Sequence, residues 1–185
     1  MIKTIILILI FYSSLFAGEN ITNAELLETL RLKYYSAVEN EDSVSIFEEH
    51  LNTLSKEYGE SNIITAYEGA LFAVKSKHAF WPFSKLTYLK DSMRLLDKAV
   101  TNSPENLEIR FIRFSILHYV PDFLGWNEEK NADKDMIVSL LLDGSYDNIP
   151  SELVLGITNF LIESERLSHE KINLLNTNIL LTLEK

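Results

Sequence analysis

The chain has 185 residues, 46% of them apolar and 24% charged, with a formal net charge of -10, four prolines, six glycines and no cysteine. That length and apolar share exclude disordered and collagen-like classes and allow a core that needs no disulfide or metal staple. Lack of cysteine excludes thiol catalysis, thiolate zinc, iron-sulfur ligation and a lipid-bearing cysteine, while leaving an oxidising compartment open.

Residues 1–17 read as an address. A short positive start at Met1-Ile2-Lys3 precedes a nearly continuous hydrocarbon run from Ile5 to Phe11, and Ser13-Ser14-Leu15-Phe16-Ala17-Gly18 supplies small residues before Glu19. That order matches a secretory signal peptide cut after Ala17, leaving residues 18–185 as one helical domain, exported to the periplasm or beyond. An uncleaved anchor is the alternative. No later stretch reaches the roughly 18 apolar residues of a membrane span, so no transmembrane segment is expected in the processed chain.

The remaining punctuation is helical. Thr22-Asn23-Ala24-Glu25 forms a capping box ahead of Leu26, Leu27, Leu30, Tyr34 and Val38 on one face. A second helix starts near Asp42, with Val44, Phe47, Leu51, Leu54 and Tyr58 in register and Gly59 as its stop. The third runs from about Asn62 to the Phe80-Trp81-Pro82 corner, where the proline forces a boundary. Ser84 is a cap candidate for the fourth, and Ser103-Pro104-Glu105 reads as the start of the fifth, which extends to about Val120. The fifth carries two apolar stripes, Leu107, Phe111, Phe114, Leu117 and Ile109, Ile112, Ile116, which predicts a central position. After a loop from Pro121 to Trp126, helices are expected at 131–143, 150–165 and 168–184, bounded by Gly144, Pro150 and Ser168. No run alternates like a half-buried strand.

The odd-numbered helices start near 23, 62 and 104, a period of about 40 residues that suits stacked helical hairpins. Ser92, Leu96, Ala99 and Pro104 stand at the small, large, small, proline spacing of a tetratricopeptide repeat, and residues 62–120 resemble that family. The resemblance implies close helix pairing and a right-handed superhelix of about eight helices. Tyr67 and Gly69 stand in the reverse of the family's order. The chain also resembles a group of small secreted bacterial proteins, through Tyr67-Glu68-Gly69-Ala70, Lys77-His78-Ala79, Pro82-Phe83-Ser84-Lys85-Leu86, Leu96-Asp97-Lys98-Ala99-Val100 and Glu108-Ile109-Arg110-Phe111-Ile112-Arg113. That likeness implies a helical-repeat fold and export, and no catalytic residues.

Charge is unevenly distributed. Residues 18–60 sum to -7, 61–118 to +3 and 119–185 to -7, so a basic, aromatic centre lies between acidic ends. Arg110 and Arg113 share a face of the central helix, where a guanidinium needs a carboxylate; Glu68, Asp97, Glu108 or an external anion would serve. His78 and His118 each end the first helix of a hairpin ahead of a proline and aromatics, and stacking would bring their rings near each other. A structural role at the negative helix end is the first reading and metal ligation the second. Phosphate loops, paired-histidine zinc motifs, nucleophile elbows and calcium loops are absent, and an acidic chain without a dense basic stripe does not suit nucleic acid.

These readings converge on an all-α interaction module without cofactor or metal, which binds a protein or peptide partner through an aromatic, basic groove. The expected contact residues are Tyr67, His78, Trp81, Lys85, Arg110, Arg113 and Trp126. Within them, the Phe80–Phe83 and Phe123–Trp126 loops stand out, because three large rings in four residues are hard to hide in a surface loop. Alternatives are a self-assembling envelope component and a hydrolase with a carboxylate-histidine site.

Overall fold

Amphipathic spacing and glycine or proline punctuation produce the whole secondary structure of residues 23–59, 61–146 and 149–183, which the computed structural model describes. The described residues form α-helices and no strand: α1 (Asn23–Glu39), α2 (Val44–Tyr58), α3 (Asn62–His78), α4 (Pro82–Asn102), α5 (Leu107–His118), α6 (Asn127–Asp143), α7 (Ser151–Glu163) and α8 (His169–Leu183). The address segment 1–17 and Thr22 of the capping box lie outside the described residues. Gly59 and Gly144 follow α2 and α6 with φ of 69° and 72°, positions where a Cβ would be strained.

Several helix starts differ from their sequence signals, each for a local reason. A 3-10 turn over Glu41–Ser43 precedes α2, because the Asn40 Oδ1 accepts the Asp42 amide at 3.0 Å. Pro82 is itself the first residue of α4, where its missing amide costs nothing, so Ser84 lies inside the helix and does not cap it. Asn106, not Ser103, caps α5: its Oδ1 accepts the Ile109 amide at 2.9 Å. Ser103 instead closes α4, donating its amide to Ala99 O. The α6 helix begins four residues before its expected start, because the polar run Asn127-Glu128-Glu129-Lys130 carries acids suited to a first turn but no apolar period to announce it.

Successive helices pair as α1–α2, α3–α4 and α5–α6, and the odd helices α1, α3 and α5 also pack side by side. Their polarity is fixed by cross-links. The Asn62 Nδ2 at the start of α3 donates to Ser103 Oγ after the end of α4 at 2.8 Å, so these two helices are antiparallel. At the other end of α3, Lys77 Nζ donates to Val38 O at 2.6 Å, so α1 and α3 finish together and are parallel. Helices α3 and α4 approach closely at Gly69, where an added Cβ would lie 2.7 Å from Leu96 Cγ and 3.1 Å from Ser92 O. Gly69, Ser92 and Leu96 are buried at this contact, and Ala99 of the repeat-like spacing is buried as well.

Two apolar clusters fill the fold and α5 serves both. Ile109, Ile112 and Leu117 join the first, with Phe47, Leu51, Tyr67, Ala70, Met93 and Leu96. Leu107 and Phe114 join the second, with Ile137, Leu141, Ile157 and Leu161. The expected two-sided burial of α5 is therefore present, although Leu117 falls on the other side from its predicted stripe. Two buried charged groups tie α5 to its neighbours. Arg31 and Tyr67 meet Glu108, tying three odd helices at one level, with Arg31 Nη2 to Glu108 Oε2 at 2.7 Å and Tyr67 Oη to Glu108 Oε1 at 2.7 Å. On the opposite face of α5, Arg110 and Arg113 converge on fully buried Asp133 of α6.

Candidate functional site

The C-terminal halves of the parallel odd helices leave a groove of about 940 Å³ between them. Helix α1 contributes Tyr34, Tyr35, Val38 and Glu39; α3 contributes Ala73, Val74, Ser76 and Lys77; α5 contributes Phe111, Ser115 and Ile116. The start of α4 closes one side with Pro82, Lys85, Leu86 and Leu89, and the corner after α5 closes the other with Tyr119, Val120, Pro121 and Leu124. Phe160 of α7 forms the far wall, edge-on to Phe111 at 5.4 Å between ring centroids. A concavity of this size with mainly apolar walls and few polar groups is the usual form of a ligand site.

The basic groups at this end are already engaged. Three donors reach carbonyls in the last turns of α1 and α3, where the backbone has no helical partner and the helix dipole is negative. Lys77 Nζ reaches Val38 O, His78 Nε2 meets Ala37 O at 2.8 Å, and Lys85 Nζ donates to Lys77 O at 2.8 Å and Ser76 O at 3.3 Å. Lys77 and Lys85 line the groove while making these bonds, so its cationic rim is held rigid by the helix ends it caps.

The seven expected contact residues therefore separate. Lys85 lines the groove, and Trp81 stands 67% exposed beside Pro82, which also lines it. His78 caps α1, and Trp126 is half-buried against the first cluster at the start of α6. Tyr67, Arg110 and Arg113 belong to the interior, not to the groove wall. Burial and then the Glu108 charge push the Tyr67 phenol well up, so it remains a neutral donor. Burial pulls the Arg113 guanidinium down, but the hydrogen bonds and charge of Asp133 and then Asp97 outweigh it and raise the pKa. Arg113 Nε donates to Asp133 Oδ2 and Nη1 to Asp97 Oδ1, both at 2.7 Å, while Arg110 Nε donates to Pro104 O at 2.7 Å. Of the internal partners considered from sequence, Asp97 serves Arg113, Glu108 serves Arg31, and Asp133 is the unforeseen shared acid.

His78 and His118 meet different partners. The His118 ring lies edge-on to Tyr119 at 4.9 Å and Phe160 at 5.4 Å, and Arg166 Nε approaches its Nδ1 at 3.4 Å. Burial first, then the positive charges of Arg166 and Lys130, lower its pKa. Among the described residues no cluster of three or more His, Asp or Glu side chains could hold a metal ion, and no helix is long and apolar enough to cross a membrane.

Sequence reasoning missed all five aromatic residues of the lining: Tyr34, Tyr35, Phe111, Tyr119 and Phe160. Tyr34 and Phe111 sat in recognised apolar stripes, and only the stacking of distant helices makes those stripes into walls. No family model matches the chain, and no curated protein or solved structure matches it.

Proposed function

We propose that this chain is an exported, non-enzymatic interaction module that holds an apolar stretch of a protein or peptide partner in the groove between its odd helices. The observation that carries the reading is the groove itself: about 940 Å³, apolar and aromatic, with Lys77 and Lys85 fixed at its rim. Its walls are side chains on helices cross-linked by buried ion pairs, so a partner meets a preformed surface and ordering costs little on the module's side. The parallel odd helices and the Gly69–Leu96 contact support a short tetratricopeptide-like superhelix, whose inner face this groove would be. Export rests on the composition of residues 1–18.

The test is co-isolation of partners from the native envelope with the parent chain and with Ala73→Trp, which fills the groove without altering charge. The reading expects a partner recovered with the parent and lost with the filled variant, at unchanged helical circular dichroism. Recovery of nothing but further copies of this chain would replace it with the self-assembling envelope component.

A further inference from the structure

Two corners at the same end of the molecule expose large rings. Phe80, Trp81 and Phe83, between α3 and α4, are 83%, 67% and 83% exposed; Tyr119 and Phe123, after α5, are 77% and 85% exposed. Both corners contribute a proline, Pro82 and Pro121, to the groove mouth, so the rings form a lip around it. We infer that this lip is a docking surface for a phospholipid bilayer, on which the module sits with its groove mouth at the headgroup level. The inference goes beyond the partner-binding reading and does not depend on it.

Three observations favour a bilayer over a protein surface. First, the rings stand out from two separate corners: Phe80 and Trp81 touch edge-on at 5.1 Å and Tyr119 leans on His118 at 4.9 Å, but all five remain mostly in solvent and make no flat prepacked patch of the kind a protein partner covers. Second, the set is entirely aromatic: Trp81 and Tyr119 have the apolar body and polar tip that suit the zone between hydrocarbon and headgroups, and Phe80, Phe83 and Phe123 supply purely apolar area to bury beneath it. Third, charge is complementary to lipid phosphates. Residues 69–90 carry Lys75, Lys77, Lys85 and Lys90 and no acid, in a chain whose net charge is -10; Lys75 is paired with Glu48 at 2.6 Å, so the local positive surplus rests on Lys77, Lys85 and Lys90. The acidic remainder is repelled by an anionic surface, which orients this end toward it.

The lip is also braced. Lys85 ties one corner to the end of α3, and buried Lys130 ties the other, donating to Asp122 Oδ1 at 2.7 Å and Val120 O at 3.3 Å. Glu39, Glu41 and Asp42 stand at the neighbouring α1–α2 corner, so headgroup attraction is modest and burial of the rings supplies most of the binding.

The experiment uses the full chain with Trp126→Phe, which leaves Trp81 as its only tryptophan, and vesicles of phosphatidylcholine with phosphatidylglycerol. Brominated acyl chains are expected to quench Trp81 and shift its emission to the blue. In the reciprocal Trp81→Phe chain, Trp126 should stay unquenched. Replacing Phe80 and Phe83 by Ser, both exposed and thus harmless to the fold, should weaken lip insertion about tenfold or more, and insertion should survive high salt. Because the quenching is local to Trp81, membrane attachment through residues 1–17 does not imitate it. An unquenched Trp81, whether the chain sediments with vesicles or not, overturns the inference. So does an emission shift that follows protein concentration without lipid, which would assign the lip to a second copy. Phe80 and Phe83 lie outside the groove lining and Ala73 lies within it, so failure of the lip and failure of the groove are distinguishable.

Discussion

Replacing Asp133 by Asn tests whether the centre of the fold depends on one buried acid. Asp133 is fully buried and accepts three charge-assisted bonds, from Arg110 Nη1 at 2.7 Å, Arg113 Nε at 2.7 Å and Arg113 Nη2 at 2.8 Å. Asn has one acceptor oxygen where Asp has two, and its amide nitrogen would face a guanidinium donor. The charge is lost as well, leaving two buried cations with half-exposed Asp97 and the Pro104 carbonyl as partners. Breaking a buried pair in this way costs about 3–5 kcal/mol, because the remaining charges stay desolvated. Against a total stability of roughly 5–15 kcal/mol, this lowers the urea midpoint by about 2 M. Urea unfolding followed by far-ultraviolet circular dichroism reads it directly. A companion chain with Asp133→Leu, Arg110→Met and Arg113→Leu removes the charges together and should unfold within about 1–2 kcal/mol of the parent. A loss below about 1 kcal/mol for Asp133→Asn would show that water reaches the cluster and that burial there is not what constrains α5 against α6.

Other substitutions probe separate parts of the fold. Gly69→Ala gains helix propensity but drives a Cβ to 2.7 Å from buried Leu96; the overpacking should win and cost about 1–3 kcal/mol by thermal denaturation. Glu108→Gln leaves buried Arg31 with half-exposed Glu28 as its remaining acid, at 3.1 Å, and should cost about 3 kcal/mol, whereas Tyr67→Phe loses one hydrogen bond to the same carboxylate and should cost roughly 1–2 kcal/mol, both read as urea midpoints. His118 is held neutral by burial and by Arg166 and Lys130, so the unfolded chain binds the proton more readily. Its contribution to stability is complete above the ordinary value of 6.5 and is lost as pH falls below 6.5 through the lowered folded-state pKa. His118→Gln should therefore reduce the drop in urea midpoint between a neutral and a mildly acidic buffer.

The features legible in the sequence are those with a local cause. The two stripes of α5 announce a helix buried on both sides, and Leu96, Ala99 and Ser92 announce a close helix pair. The Phe80-Trp81-Pro82-Phe83 corner announces exposed rings, and they are exposed. What was not legible depends on distant pairing. Asp133 lies in the polar run Asn127–Asp135 and looks like a solvated residue; its burial follows from Arg110 and Arg113, which are 23 and 20 positions away. Tyr67 carries a polar tip that suggests a contact surface, but Glu108, 41 positions on, turns that tip inward. The groove is the extreme case. Its walls come from α1, α3, α4, α5, α7 and the corner after α5, spread along the chain from Tyr34 to Phe160.

The most direct measurement of the central claim is site-resolved photocrosslinking in the native envelope. A photoreactive side chain replaces Leu86, Phe111 or Ile116 on the groove wall, or exposed Leu32, Ile46 or Leu174 away from it. The account predicts adducts to one partner from the three groove positions and none from the other three. Equal labelling from both sets, or labelling from the outer set alone, would contradict it.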